Sequence, residues 1–159
     1  MDDVEMLPKS DEVKIFSGEK LQEAINHPQF KNLGGTLVSK ERFQLSDYCA
    51  VVYSDGTPVS IANLTLNSVK HSHQPEIPVF YTLPKYRGRG FGFVAFQRLL
   101  EFAQEQGIEN IHIDVTSMGA RKMIDALTPD KKSILIVHDS GFYLDSLMPQ
   151  IEQGTTDMK

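Results

Sequence analysis

The stretch that most constrains the fold of this chain is "LPKYRGRGFGFVAFQRLLEFA", in which a glycine-rich turn runs directly into a helical pattern. Three basic residues and three glycines fall within eight positions, from Lys85 to Gly92. The helix predicted over residues 90–106 carries one apolar stripe, made of Phe96, Leu99, Leu100 and Ala103. Since "EIPVFYTL" before the turn is typical of a strand, the sequence predicts a strand, a tight turn and a helix in immediate succession.

Such a turn is suited to holding an anion. The first N–H groups of a helix have no intrahelical partner, and the positive end of the helix dipole lies behind them. The glycines of residues 87–92 remove side chains that would cover those amides, and the two arginines add charge and donors. A dinucleotide fingerprint and a P-loop are both excluded, because Phe93 stands where each needs a glycine. The turn therefore predicts a pyrophosphate site of another type; the alternative is a tight turn with solvated arginines.

Composition limits the class of protein. A length of 159 residues suits one domain, and the net charge of -5 argues against nucleic-acid binding. No apolar run approaches the roughly 20 residues that span a bilayer, and the acidic start is unlike a secretory signal. We therefore expect a cytoplasmic protein without a membrane segment. The one cysteine, Cys49, lies in a strand pattern and is expected to be a small buried hydrophobe.

The pattern along the chain predicts an α/β (α+β) fold with a mixed sheet. We expect a flexible acidic tail over residues 1–12, one domain over residues 13–150 and a polar tail over residues 151–159. The predicted elements are a helix in "SGEKLQEAINHPQF" with Ser17 as its cap, a hairpin of "YCAVVY" and "TPVSIANLTL", the strand and helix around the turn, a strand in "IENIHIDV", a helix in "MGARKMIDAL" capped by Thr116 or Ser117, and two closing strands in "SILIVHDSGFYLDSL". The segment over residues 31–45 is ambiguous.

The pattern Arg87-x-x-Gly90-x-Gly92, which follows a strand and opens a helix, resembles the acyl-CoA-binding motif of the GNAT-type N-acetyltransferase superfamily. The preceding "FYTLPKYRGRG" is similar to the usual approach to that motif. The resemblance extends over residues 76–127 and is weak over the first 45. It implies a mostly antiparallel central sheet flanked by helices, and acetyl-CoA as the acyl donor without a metal.

The resemblance also implies roles for particular residues. Backbone amides of the turn would hold the CoA pyrophosphate, and amides of the preceding strand would pair with pantetheine and polarise the thioester carbonyl. Ser117 stands where many members of the family have an asparagine. The cofactor-binding residues expected on this basis are Phe80, Tyr81, Thr82, Arg87, Gly88, Arg89, Gly90, Phe91, Gly92 and Ser117.

Acetyl transfer to an amine needs a base, because an alkylammonium does not attack a thioester. Some members of the family use a glutamate 11 positions before the first motif residue, which gives Glu76 here; the alternative is a solvated carboxylate. His71 and His73 lie close in sequence and could serve instead. As a metal pair these two histidines lack further ligands at a recognisable spacing, so no metal is expected.

The sequence departs from the family at the residue that protonates the leaving thiolate. The tyrosine of many members aligns with Ile124, which lies on the apolar stripe of its own predicted helix. Tyr143, in the last predicted strand, is an alternative acid; it could equally be a core or surface residue.

These residues favour an acetyl-CoA-dependent N-acetyltransferase that acts on a primary amine of a small molecule or peptide by direct attack in a ternary complex. One alternative is a catalytically silent acyl-CoA-binding sensor, which the Ile124 departure favours. Another is a protein-directed or toxin-like acetyltransferase, although the acidic charge gives no support for a tRNA partner. The acceptor pocket is expected from residues 31–45 and 67–75, and an exposed final strand would allow a homodimer.

Overall fold

A seven-stranded sheet organises the chain in the computed structural model, which describes residues 11–30 and 43–141. The strands are β1 (Asp11–Ser17), β2 (Tyr48–Ser54), β3 (Thr57–Ser68), β4 (Gln74–Glu76), β5 (Phe80–Thr82), β6 (Ile111–Val115) and β7 (Leu135–Asp139). The α-helices are α1 (Gly18–Ile25), α2 (Phe91–Glu105), α3 (Met118–Asp125) and α4 (Pro129–Lys132). Short 3-10 turns cover Pro28–Phe30, Val69–His71 and Pro84–Tyr86.

The sheet is mixed and mostly antiparallel, as predicted. Its strand order is β1-β2-β3-β4-β6-β7, and β5 pairs with β3 beside β4. The pairs within β1–β5 are antiparallel, whereas β4 with β6 and β6 with β7 are parallel. The long strand β3 thus joins an antiparallel half to a parallel half.

Each face of the sheet carries its own apolar core, because neighbouring residues of a strand point to opposite faces. On β2, Ala50 and Val52 pack with α2 and α3, whereas Cys49 and Val51 pack with α1. Residues of α2 at helical spacing fill the first core, and Leu21 and Ile25 of α1 fill part of the second. The helices therefore lie on both faces of the sheet.

The strongly periodic elements agree with the sequence prediction. The hairpin has its turn at Asp55 and Gly56, both at positive φ, and α2 begins after Gly90 and ends before Gly107. The strand predicted in "EIPVFYTL" is divided between two short strands, β4 and β5. The chain is hydrogen-bonded to β6 as far as Ile77 and then continues as β5, which pairs with β3. Pro78 lies in that break, where its missing N–H removes a donor from any continuous ladder.

Some elements were missed. Strand β1 begins at Asp11, so residues 11 and 12 pair with β2 instead of belonging to the expected tail. Ser17 precedes α1 as predicted, but its side chain makes no capping hydrogen bond. Helix α4 was not predicted. The described residues do not include the second of the two closing strands, most of the ambiguous segment, residues 1–10 of the expected first tail or the expected tail over residues 151–159.

Over residues 11–30 and 43–141, no helix combines the length and the apolar character needed to cross a bilayer.

Candidate functional site

The glycine-rich turn adopts a backbone that requires glycine. Gly88 has φ +79° and Gly90 has φ +88°, values at which a Cβ would be strained. A Cβ built at either position meets no atom within 4 Å, so open space lies beside the backbone. Gly90 is the N-cap of α2, and the first N–H groups of that helix follow it at Phe91 and Gly92. The turn thus presents bare backbone at the positive end of a 15-residue helix.

The two arginines of the turn are held differently. Arg87 donates from Nε to the Thr82 carbonyl at 2.8 Å, and its guanidinium lies 5.5 Å from the Tyr81 ring centre. Arg89 lies over the rings of Tyr86 and Phe91, at 5.2 and 5.6 Å. The contact with Thr82 ties the turn to β5 and, among the described residues, engages only the Nε of the Arg87 guanidinium.

A cleft of about 630 Å³ opens at this turn. It is lined by residues of β5, the turn, the start of α2 and the start of α3: Phe80, Tyr81, Thr82, Tyr86, Arg87, Gly88, Gly90, Phe91, Gly92, Phe93, Ser117, Gly119, Ala120, Lys122 and Met123. The structure thus brings together all the expected cofactor-binding residues except Arg89, which does not line the cleft. Six residues that were not among the expected cofactor-binding residues complete the wall: Tyr86, Phe93, Gly119, Ala120, Lys122 and Met123.

The backbone of β5 offers donors on its outer edge. Asn63 N–H donates to Val79 O and Leu83 N–H to Val59 O, which fixes residues 79, 81 and 83 as the ones bonded to β3. The N–H groups of Phe80 and Thr82 therefore point away from β3. The carbonyl of Thr82 does the same, since it accepts from Arg87. Among the described strands nothing pairs with this edge, because β6 pairs with β4 and β7 only.

Helix α3 closes the other side of the cleft. The Ser117 hydroxyl accepts a hydrogen bond from Ala120 N–H at 3.1 Å and so caps the helix. Ile124 is 7% exposed and belongs to the core beneath α2, in agreement with its apolar stripe. The position that aligns with the family's tyrosine is therefore a core position in this chain. Tyr143, the alternative acid, lies outside the described residues.

Glu76 is buried beside a histidine. Its carboxylate is 4% exposed, Oε1 accepts from Ser68 Oγ at 2.7 Å, and Oε2 lies 3.7 Å from His71 Nε2. The alternative of a solvated carboxylate is therefore wrong. Glu76 does not line the cleft, however, because β4 ends before the segment that carries Phe80.

His71 is part of a group that the sequence spacing did not reveal. Its ring lies nearly parallel to those of His112 and His138, with ring centres 4.5 and 4.7 Å away. His73 is not in the group; its Nδ1 contacts Asn67 Oδ1 at 2.7 Å. A signal existed in the strand alternation, which places His112 opposite the buried Ile111 and Ile113, but the pairing of β6 with β7 could not be seen from spacing.

Two groups around His71 have shifted pKa values. Partial burial alone would raise the pKa of Asp114, but hydrogen bonds from Lys70 and His71 outweigh it and lower that pKa below its usual value. Desolvation, followed by repulsion from His71 and His138, lowers the pKa of His112 against the opposing effect of the carboxylates. Both effects disfavour the protonated form of the His112 ring.

The sequence matches the model of the Acetyltransferase (GNAT) family over residues 18–126. That region contains the turn, the cleft and Glu76, and it makes up well over half of the chain. No curated protein matches the sequence significantly.

Solved structures with the same fold include three acetyltransferases. An aminoglycoside acetyltransferase from an uncultured soil metagenomic sample, crystallised with trehalose, is 14% identical, has a TM-score of 0.55 and aligns over 76% of this chain and 89% of its own. The ribosomal-protein-S18-alanine N-acetyltransferase from Escherichia coli is 12% identical, with a TM-score of 0.53 and coverage of 72% and 76%. An aminoglycoside N-acetyltransferase in complex with CoA is 16% identical, with a TM-score of 0.52 and coverage of 74% and 90%. At these identities the likeness supports the fold.

Proposed function

This chain belongs to the acetyltransferase (GNAT) family, and on that premise we propose that it transfers an acetyl group from acetyl-CoA to a primary amine of a small molecule or peptide by direct attack in a ternary complex. The observation that carries the proposal is the cleft of about 630 Å³, which lies beside β5 and is lined by the glycine-rich turn and the starts of α2 and α3. Such a cleft can take an extended thioester between a strand edge and a helix N-terminus.

The turn fits the pyrophosphate of CoA. Gly88 and Gly90 leave open space beside their backbone, where side chains would otherwise stand. Arg87 supplies a fixed charge next to the N-terminus of α2, and Lys122 adds a second cation from α3 on the far wall. Two cations and bare helix amides together suit a dianionic diphosphate.

The strand edge suits the rest of the donor. The outward N–H groups of Phe80 and Thr82 are available to an extended chain with amide carbonyls, such as pantetheine. The donor itself supplies an activated thioester carbonyl. Fixed backbone donors beside that carbonyl stabilise the charge that develops on its oxygen, by several kcal/mol in comparable sites.

Glu76 is the proposed general base. It is buried, is oriented by Ser68 and lies on β4 just before the strand breaks toward the cleft. Since it does not line the cleft, it would take the proton of the amine through a water molecule. The acceptor would enter from the side of Glu76 and the connection over residues 67–75.

A catalytically silent acyl-CoA-binding module is the second candidate. Its supporting observation is Ile124, a core residue at the position of the family's thiolate-protonating tyrosine. CoA thiolate is a fairly good leaving group, so this departure lowers the expected rate without removing the reaction. Among the structural neighbours, one is named for aminoglycosides and another for the alanine of a ribosomal protein, so either kind of amine belongs in a first screen.

Calorimetric titration with acetyl-CoA and free CoA tests the proposed pyrophosphate site at the glycine-rich turn. We expect saturable binding by the native chain and loss of that binding in the Arg87→Glu, Gly90→Asp double variant. The matched control is Arg98→Glu, a charge reversal on α2 away from the cleft, which should bind normally. Failure of the native chain to bind either ligand would overturn the proposal.

Release of CoA with a panel of amines then separates the enzyme from the silent module. With an accepted amine, Glu76→Gln should lower turnover about 10²–10⁴-fold, the usual contribution of general base catalysis. Glu109→Gln, at an exposed carboxylate, is the control. Unchanged turnover in Glu76→Gln would remove Glu76 from the mechanism, and binding without turnover against the whole panel would favour the silent module.

A further inference from the structure

Three histidines from separate elements converge on the sheet face opposite α2. His71 comes from the 3-10 turn after β3, His112 from β6 and His138 from β7. One ring nitrogen of each lies within 4.8 Å of the others. We propose that this histidine cluster, His71, His112 and His138, binds one divalent transition-metal ion of the zinc type.

The sheet itself sets the position of the cluster. On β6, Ile111, Ile113 and Val115 face the core, so His112 faces the other side. β7 runs parallel to β6 and pairs His138 with Asp114. Asp114 lies two residues after His112 on β6 and therefore on the same face of the sheet. The rigid strands thus bring two imidazoles to one face, and the 3-10 turn adds the third. Of the five histidines in the chain, only His27 and His73 lie outside the group.

The hydrogen bonds direct a nitrogen lone pair of His112 at His138. His112 Nε2 is 2.6 Å from Gln74 Oε1, which can only accept there, so Nε2 carries the proton. In the neutral ring Nδ1 then has a lone pair, and it points at His138 Nε2, 2.8 Å away. A metal ion can replace the proton shared by these two nitrogens, since zinc binds neutral imidazole at about 2.0–2.1 Å. His138 is exposed and can turn to reach that distance.

The third ring, that of His71, is stacked nearly parallel to the other two, so it has to turn before its second nitrogen, Nδ1, can point at the ion, while Nε2 already has an outer partner. His71 Nε2 lies 3.3 Å from Asp114 Oδ2, and that carboxylate is held in turn by Lys70 Nζ at 2.6 Å. A carboxylate on one ring nitrogen orients the imidazole and makes the other nitrogen a better ligand. Gln74 does the same for His112. Two of the three proposed ligands therefore already have an outer partner.

The donor set selects the class of metal. Three imidazoles suit Zn²⁺, Ni²⁺ and Cu²⁺, whereas Mg²⁺ and Ca²⁺ prefer oxygen ligands. A second grouping, of His71, Glu76 and Asp114, is richer in oxygen, but Ser68 and Lys70 already occupy its carboxylates. The histidine cluster is therefore the preferred site. This proposal departs from the sequence-based expectation of no metal, and it does not depend on the proposed acetyl transfer.

A bound ion would tie the last described strand and the 3-10 turn to β6. The expected result is one equivalent of Zn²⁺ per chain, measured by calorimetry with ZnCl₂ on protein freed of any affinity tag and of chelator. Binding should also raise the unfolding temperature, because an ion that binds only the folded state stabilises it. The variant His138→Ala should lose at least roughly tenfold in affinity.

His138→Ala is chosen because its side chain is exposed and its removal leaves the core intact. The matched control is His73→Asn, which removes a neighbouring histidine outside the cluster at a position of φ +65°, a conformation that asparagine tolerates. The control should bind Zn²⁺ like the native chain. Substitution of Co²⁺ should give the intense visible bands of a low-coordinate site, and imidazole ¹⁵N shifts should move for the three cluster histidines and not for His27 or His73.

Two results would overturn the proposal. One is the absence of stoichiometric Zn²⁺ binding by the native chain. The other is equal affinity in the native chain and in His138→Ala, since the ion would then sit elsewhere. Neither result would bear on acetyl-CoA binding, which is measured separately.

Discussion

At the scale of single residues, the burial of Cys49 has a consequence for the pH dependence of stability. Its side chain has no exposed surface on β2, and this burial raises the pKa of the thiol to about 12. In the unfolded chain a thiol titrates near 8.5. Between these values the unfolded state gives up the proton and the folded state keeps it, so the free energy of unfolding falls as the pH rises, by about 1.4 kcal/mol per pH unit.

Urea unfolding of the native chain and of Cys49→Ala over the pH range of about 8 to 11 measures this effect. The alanine variant starts less stable because of the lost volume, and the gap should shrink as the pH rises. Parallel profiles would contradict the prediction. The same burial should keep Cys49 unreactive toward thiol reagents in the folded protein, so that released CoA can be assayed directly.

Ser117 offers a second test at this scale, because one side chain both caps a helix and lies in the wall of the cleft. It caps α3 through the hydrogen bond from Ala120 N–H, and it also lines the cleft. Ser117→Ala should cost about 1 kcal/mol of stability by loss of the cap, with little change in CoA affinity. Ser117→Asp should keep the cap and the stability but weaken CoA binding, because it places a negative charge in the cleft proposed to hold the CoA phosphates.

Thermal unfolding and calorimetry on the two variants separate the roles. A similar loss of affinity in both would mean that the hydroxyl itself contacts the ligand. A similar loss of stability in both would mean that the cap contributes nothing.

At the scale of elements, strand β5 should show an alternating pattern of hydrogen exchange. The N–H groups of Tyr81 and Leu83 point to β3, whereas those of Phe80 and Thr82 point to the cleft. In the free protein we expect slow exchange at the first two and fast exchange at the other two. Saturating CoA should slow Phe80 and Thr82 selectively. NMR exchange at residue resolution checks this, and ligand protection that misses Phe80 and Thr82 would contradict the proposed use of this edge.

The elements also differ in how far the sequence predicts them. Helix α2 and the β2–β3 hairpin were predicted because their periods and turn residues are local signals. Strand β1 is not predicted although Val13 and Ile15 alternate with Glu12 and Lys14, because an acidic start of this kind is typical of a tail. The division between β4 and β5 depends on which neighbour each half pairs with, and sequence periodicity contains no such information.

The residues of the candidate site also differ in this way: local sequence signals reveal some of them, and only the topology brings the others together. The turn could be found because glycines at a helix start have a local physical role, whereas the β5 residues were expected from the resemblance to the family. Lys122 reaches the cleft only because α3 packs beside α2, and His112 meets His138 only because β7 returns parallel to β6. Contacts of this kind join residues distant in sequence and are set by topology.

At the scale of the whole molecule, the two cores share one sheet, so they should unfold together. β2 contributes alternate residues to both cores, Ala50 and Val52 on one face, Cys49 and Val51 on the other. Loss of either core leaves the opposite face of the same strand without support. We therefore expect one cooperative transition, even when the damage is confined to one face.

Two truncations, one per face, test this coupling. Ile25→Ala removes a fully buried side chain of α1, and Leu99→Ala removes one of α2; each should cost about 2–5 kcal/mol. Tyr48, which packs on Phe102 at 4.7 Å, reports on the α2 face, and Tyr81, 6.4 Å from Phe30, reports on the α1 face. With fluorotyrosine labels the two signals should share one midpoint in both variants. A midpoint that moves for Tyr81 alone in Ile25→Ala would mean that the α1 face opens on its own, and the cooperative unit would then be the β2–β3 sheet with α2.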